Sequence, residues 1–177
     1  MIQEFTISVF TENKTGLLMR VVSVFTRRHI NIESLTTSQS SMEGIFRFTI
    51  VVNVTEEQVL KIVAQLDKHV EVLKAFYYHN HDVVYQEIAL YKIPLHVYTD
   101  NGLLETVMRK HKARVLSIEK EFIVIEKTGT QAETEQLLTE LKKTGIYEFV
   151  RSGRVAVTKP MEELKAYLKA VERGHIN

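Results

Sequence analysis

The stretch Thr11-Glu12-Asn13-Lys14-Thr15-Gly16-Leu17-Leu18 offers bare peptide rather than a reactive side chain. It leaves an alternating run, with Phe5, Ile7 and Val9 on one face and Thr6 and Ser8 on the other, and enters a segment whose apolar residues Leu18, Val21, Val22 and Phe25 recur at helical spacing. The chain must turn between the two, and Gly16 lets it do so while allowing another molecule close to the backbone. The first amides of a helix have no partner inside it and sit at the positive end of its dipole. With the Asn13 side chain they form a seat for a carboxylate. Asn13 and Gly16 serve equally well to shape a tight loop, so the stretch acquires meaning only from its surroundings.

Those surroundings read as two small units. A chain of 177 residues with 45% hydrophobic and 25% charged residues accommodates one medium domain or two small ones, each able to bury a core. The 23 basic and 22 acidic residues leave a formal net charge of +1, which argues against a broad basic face for nucleic acid. The absence of cysteine excludes disulfides, thiol catalysis and thiolate metal sites. Met1-Ile2-Gln3-Glu4 already belongs to the first strand, without signal or transit character, and no apolar run nears membrane-spanning length; a soluble, cytoplasmic protein is expected.

In chain order, Arg27-Arg28-His29 closes the first helix with basic residues, and Ile30 to Leu35 alternates as a second strand. After the turn at Ser40 to Gly44, Ile45 to Val52 is a third strand. Thr55 with Gln58 makes a capping box for a helix with Val59, Ile62, Val63 and Leu66 inward, and His69 to Tyr78 returns as a strand. The order is βαββαβ, a ferredoxin-like unit with two helices on one face of a four-stranded antiparallel sheet. His79-Asn80-His81-Asp82 reads as a solvated connection rather than a metal site, since no further ligands flank it. The other histidines show no triad or metal spacing.

The second half repeats the first. Gln86 to Ile93, Val115 to Ile118, Phe122 to Ile125 and Ile146 to Val150 read as strands, and Gly102 to His111 as a helix with Leu103, Leu104, Val107 and Met108 inward. Thr55, Ile62, Val63 and Leu66 displaced by 75 positions fall on Thr130, Leu137, Leu138 and Leu141, a cap and three core positions in register. Beyond Pro160, Met161, Leu164, Leu168 and Val171 read as a carboxyl-terminal helix. The expected fold is therefore α+β, two ferredoxin-like βαββαβ units in tandem. The first spans residues 1–79 and binds an effector, 80–85 is a linker, 86–159 is the second unit and 160–177 the terminal helix. Asn101-Gly102-Leu103-Leu104 only echoes the opening loop, because its asparagine adjoins the glycine and Pro94 lengthens the approach, so the ligand site is placed in the first unit alone.

The run Asn13-x-x-Gly16-x-Leu18-x-Arg20-Val21-x-x-x-Phe25-x-x-Arg28-x-x-Asn31-Ile32-Glu33-Ser34-Leu35 resembles the amino-terminal ACT domain of the small, regulatory subunit of acetohydroxyacid synthase, also called acetolactate synthase. Arg151-Ser152-Gly153 resembles that family's ending, and His29-Ile30 departs from it where a glycine and an aromatic residue are usual. The resemblance implies a non-catalytic subunit that carries no cofactor or metal and no catalytic residue. It would bind a large catalytic subunit holding thiamine diphosphate, Mg and FAD, raise its activity, and transmit feedback inhibition by a branched-chain amino acid, usually valine. The effector would lie between ACT domains of two chains, so a homodimer is implied, and side-by-side pairing would also satisfy open sheet edges.

For such an effector, the amides near Gly16 and Leu17 would take the carboxylate, Asn13 and Asn31 the ammonium, and Leu18 with Ile32 would line an apolar pocket, with Thr15 also in the loop. Two other βαββαβ classes fit less well. In an RNA-recognition module, Phe46 and Phe48 would fall one place off the stacking positions and no basic residue precedes Gly44; an acylphosphatase-like enzyme would want an arginine where the loop has Lys14. A stand-alone tandem ACT sensor acting on another metabolic protein shares the same site, and co-purification with a thiamine-diphosphate subunit separates the two.

Overall fold

The computed structural model describes residues 1–100, 102–159, 166, 167 and 169, with the side chains of 98–100 and 103 left aside. By internal contacts the chain divides into Met1–Val84 with Ala156–Asn177, and Tyr85–Val155.

In the first unit, β1 (Gln3–Glu12), β2 (Ser34–Gln39), β3 (Ile45–Val54) and β4 (Val72–His79) form an antiparallel sheet in the order β2-β3-β1-β4. Two helices, α1 (Leu17–Thr26) and α2 (Glu56–Leu66), supply the rest of the ferredoxin-like unit. The strand alternation sends Phe5, Ile7 and Val9 of β1 and Phe48, Ile50, Val52 and Val54 of β3 into one core with Leu17, Val21, Val24 and Phe25 of α1 and Val59, Ile62 and Leu66 of α2. Thr55 caps α2 as the sequence indicates: its hydroxyl accepts from Gln58 N–H at 3.3 Å, and the Gln58 side chain accepts from Thr55 N–H at 2.9 Å.

Two expectations shift. The inward stripe of α1 is Leu17, Val21, Val24 and Phe25 rather than Leu18, Val21, Val22 and Phe25, and Leu18 stays 43% exposed. Seven of nine residues from Leu17 to Phe25 are apolar, so two overlapping stripes satisfy the spacing and only packing against the sheet chooses between them. The second strand begins at Ser34, not Ile30. Residues before it alternate because Ile30 and Ile32 reach the same core from a loop.

That loop starts at an unusual helix end. The N–H of Ile30 donates to Phe25 C=O at 3.1 Å and that of His29 to Thr26 C=O at 3.0 Å, the paired bonds of a Schellman motif. His29 occupies its left-handed position at φ 53°, where glycine is the usual residue. The turn therefore survives the His29-Ile30 departure, at a backbone cost of roughly 1–2 kcal/mol for a residue with a Cβ.

The linker stretch contains more structure than expected: a 3-10 turn at Asn80–Asp82 leads into β5 (Val83–Pro94). The His79 and His81 rings stack at 5.2 Å, and among the described residues no three potential metal ligands converge. In the second unit β5 is followed by α3 (Leu95–Asp100), α4 (Leu103–His111), β6 (Arg114–Ile118), β7 (Phe122–Gly129), α5 (Gln131–Leu141) and β8 (Glu148–Arg151), with sheet order β6-β7-β5-β8. This repeats the first sheet strand for strand. Ala89, Tyr91, Ile93, Leu104, Ile123, Ile125, Leu137, Leu138 and Leu141 form its core. Thr130 N–H donates to the Glu133 carboxylate at 2.7 Å, reproducing the first unit's capping box.

The short helix α3 was not expected; it is what the longer approach after Pro94 becomes. A last strand, β9 (Val155–Thr158), pairs β5. The terminal helix expected over 160–177 lies largely outside the described residues. Tyr167, which is described, sets its ring edge-on to Phe76 at 6.1 Å and takes the Lys74 ammonium at 5.2 Å.

Candidate effector site

Where β1 ends, the chain crosses to α1 through residues that leave a recess. Gly16 adopts φ 84°, ψ −5°, and no side chain caps the helix. An added Cβ at Gly16 would meet nothing within 4 Å, so glycine is required here by its left-handed backbone and not by crowding. The amide of Leu17 donates to Lys14 C=O at 3.3 Å. It is thus engaged in the turn, and the first-turn amides that follow it are those of Leu18 and Met19.

The recess is a cavity of about 190 Å³ lined by Thr11, Glu12, Asn13, Lys14, Gly16, Leu17, Leu18, Thr37, Phe46 and Phe48. It falls below the roughly 300–1,000 Å³ of pockets for drug-sized ligands, a scale that suits one small metabolite. Its floor is apolar and buried, with Leu17 at 4% and Phe48 at 5% exposure, while the loop side carries peptide and charge. Lys14 pairs with Glu12 at 2.6 Å, and that contact raises the ammonium's pKa above its ordinary value. Glu12 N–H donates to Glu71 C=O at 3.1 Å, and Arg20 of α1 pairs with the Glu71 carboxylate. A backbone hydrogen bond, followed by the bond from Arg20, holds the Glu71 carboxyl below its usual range. The strand end and the helix start are thereby tied to one residue.

Of the residues expected at the site, Asn13, Gly16, Leu17 and Leu18 line this cavity; Thr15, Asn31 and Ile32 do not. Thr15 and Asn31 are exposed, and Ile32 packs against the core. The sequence reading missed Thr11, Thr37, Phe46 and Phe48. They arrive through sheet register: Thr11 pairs with Phe46 across β1 and β3, and Thr37 with Phe48 across β2 and β3. Register follows from which strands are neighbours, so no local motif announces these residues. In the second unit the corresponding helix starts differently, with Gly102 at φ −57° and α3 inserted before it.

Comparison with known proteins places the chain. Residues 7–74 match the family profile described as an AHAS small subunit-like ACT domain, and residues 86–160 the one described as the small subunit of acetolactate synthase. The acetolactate synthase small subunit of Mycolicibacterium smegmatis is 36% identical over 154 residues, covering 87% of this chain and 90% of that protein. That of Bacillus subtilis is 32% identical over 169 residues, covering 93% and 96%. The crystal structure of the acetolactate synthase small subunit from Thermotoga maritima superposes with a TM-score of 0.81 at 27% identity, over 90% of this chain and 99% of that one. In sequence and in shape, across both units, this chain belongs to the family of acetolactate synthase small subunits.

Proposed function

We propose that this chain is the non-catalytic regulatory subunit of an acetolactate synthase in branched-chain amino-acid biosynthesis. It binds the thiamine-diphosphate-dependent catalytic subunit, raises its activity and transmits feedback inhibition by valine. The observation that carries the effector half of this reading is the cavity at the start of α1, which sets helix amides and Asn13 beside an apolar floor. A zwitterion with a branched side chain needs both. Each charge-assisted hydrogen bond to its carboxylate contributes about 1.5–3 kcal/mol, and burying the valine side chain roughly 1.5–3 kcal/mol more. After immobilisation costs this supports binding between about micromolar and millimolar.

Pairing of two copies side by side supplies what the single chain lacks. Thr37, on the edge strand β2, is part of the cavity wall, so the cavity opens beside an unpaired strand edge. A second copy aligned there closes the mouth and brings its own exposed Asn31, just ahead of its β2, toward the ligand. Inhibition then requires the effector-bound dimer to meet the catalytic subunit differently from the free dimer, a coupling typically of about 1–3 kcal/mol.

The test is reconstitution with the catalytic subunit. Addition of this chain should raise acetolactate formation, and valine should return it toward the level of the catalytic subunit alone. Stimulation that valine leaves untouched removes the effector assignment; no co-purification and no stimulation removes the partner.

A further inference from the structure

The two sheets differ on the faces turned away from their helices. In the first unit that face is closed. Thr6 and Ser8 of β1 and Thr49 and Val51 of β3 alternate with core residues yet are buried, and the Tyr167 ring stands against Phe76, the cross-strand neighbour of Ser8. In the second unit the face is open and partly apolar: Ile88 is 49% and Val150 53% exposed, with Leu90 and Val124 half-buried beside them. A solvated sheet face is ordinarily polar, and a contiguous apolar one marks a contact surface.

Register fixes how this face is laid out. Lys92 of β5 pairs with Val124 of β7, and Leu90 with Glu126, so the four form a square with Leu90 and Val124 on one diagonal and Lys92 and Glu126 on the other. On one flank Val150 and Glu148 of β8 lie beside Leu90 and Lys92. On the other, Arg114 of β6 holds the Glu126 carboxylate at 2.9 Å. A second copy laid face to face about the Leu90–Val124 diagonal sets each of these two residues on its own counterpart. It also brings Lys92 over Glu126 of the second copy, Arg114 toward its Glu148, and Val150 toward its Ile88. The strands then cross steeply, the orthogonal mode of sheet packing. The other diagonal would set Lys92 on Lys92 and Glu126 on Glu126, so the charges select the first.

We propose that the open face of the second-unit sheet is a homotypic interface, taking the same face of a second copy across a two-fold axis through Leu90 and Val124. A contact of this kind limits itself, because it uses up the face on both copies. The inference stands apart from the effector reading, which concerns the first unit.

Cross-linking of the purified full chain tests it. The chain has no cysteine, so a single introduced thiol reports alone. Leu90→Cys lies on the axis, and across sheets stacked about 10 Å apart a short bis-maleimide should join two copies. Thr128→Cys, exposed on the same face but off the axis, should give little covalent dimer. Yields are read on denaturing gels and normalised to labelling by a monofunctional maleimide. Adding Lys92→Glu or Glu126→Lys to Leu90→Cys should lower the yield about tenfold or more, because two opposite-charge contacts become like-charge ones. Mixing the two charge variants should restore it, since each chain then offers the other the opposite sign at both contacts.

The proposal is overturned if Leu90→Cys yields no more covalent dimer than Thr128→Cys, if the charge variants leave the yield unchanged, or if their mixture fails to recover it. Protection of Leu90→Cys from the monofunctional reagent only when the catalytic subunit is added would overturn it in favour of that subunit.

Discussion

The two units have the same sheet order, the same capping boxes and equivalent cores, yet they leave their first strands in different ways. In the first, β1 reaches α1 through a left-handed Gly16, and the corner stays open above an apolar floor. In the second, β5 ends at Pro94, α3 intervenes, and Gly102 starts α4 in ordinary right-handed geometry. The lesson is that units of one fold differ at a few residues of one corner, and a fold by itself does not say what such a corner binds.

The largest effect that sharpens this contrast is expected at the two glycines. Gly16→Asp places a carboxylate at the seat of the effector's own and forces a side chain into φ 84°, so it should weaken valine inhibition by about 100-fold or more, two charge-assisted hydrogen bonds' worth. Stimulation of the catalytic subunit should persist. Gly102→Asp, by contrast, should leave valine inhibition within about twofold, in the range of surface substitutions. Dose–response curves of the reconstituted enzyme decide, and equal sensitivity at both positions would erase the difference between the units.

Next in size are the capping boxes, where the units should behave alike. Thr55→Ala and Thr130→Ala each delete an N-cap hydroxyl and should each cost about 1 kcal/mol in denaturant unfolding. The partners in the boxes differ, and so do their pH responses. Gln58 is neutral, whereas Glu133 accepts from the Thr130 backbone and side chain, which hold its carboxyl below the ordinary 4.5. A depressed folded pKa stabilises the unit above the unfolded value, and that contribution is lost as pH falls from about 4.5 through the folded pKa. Glu133→Gln should remove this acid sensitivity, and no counterpart should exist for the first unit's box. Unfolding midpoints measured from pH 3 to pH 6, roughly spanning the carboxylate range, check it.

The smallest effect concerns α1 alone. His29→Gly relieves the left-handed backbone at φ 53° but frees the unfolded chain, and should stabilise the protein by about 0.5–1 kcal/mol. A thermal shift upward confirms it; a downward shift would mean that the His29 side chain contributes more than its backbone costs.

Much of this was legible in the sequence. Strand alternation in β1, the Thr55 and Thr130 boxes and the 75-residue repeat are local or periodic signals, and they gave the sheet-and-helix order and most core residues. The first-unit loop was legible as well, because Gly16 and Asn13 mark their own position. What escaped depended on three-dimensional neighbours. Leu17 rather than Leu18 faces the core because the sheet selects one of two apolar stripes. Thr11, Thr37, Phe46 and Phe48 enter the cavity only once β3 lies between β1 and β2. Asn31 and Ile32 adjoin the loop in the motif, while in the single chain one is exposed and the other packs in the core.

The central claim is that a peptide corner in the first unit, and not its counterpart in the second, holds the amino acid. Amide chemical shifts of the ¹⁵N-labelled chain titrated with valine test it most directly. The amides of Gly16, Leu18 and Met19 should move in a saturable manner, together with those of Thr11 and Phe46, while those around Gly102 and Leu104 stay fixed. Saturable shifts centred on Gly102, or none at all around Gly16, would contradict the account.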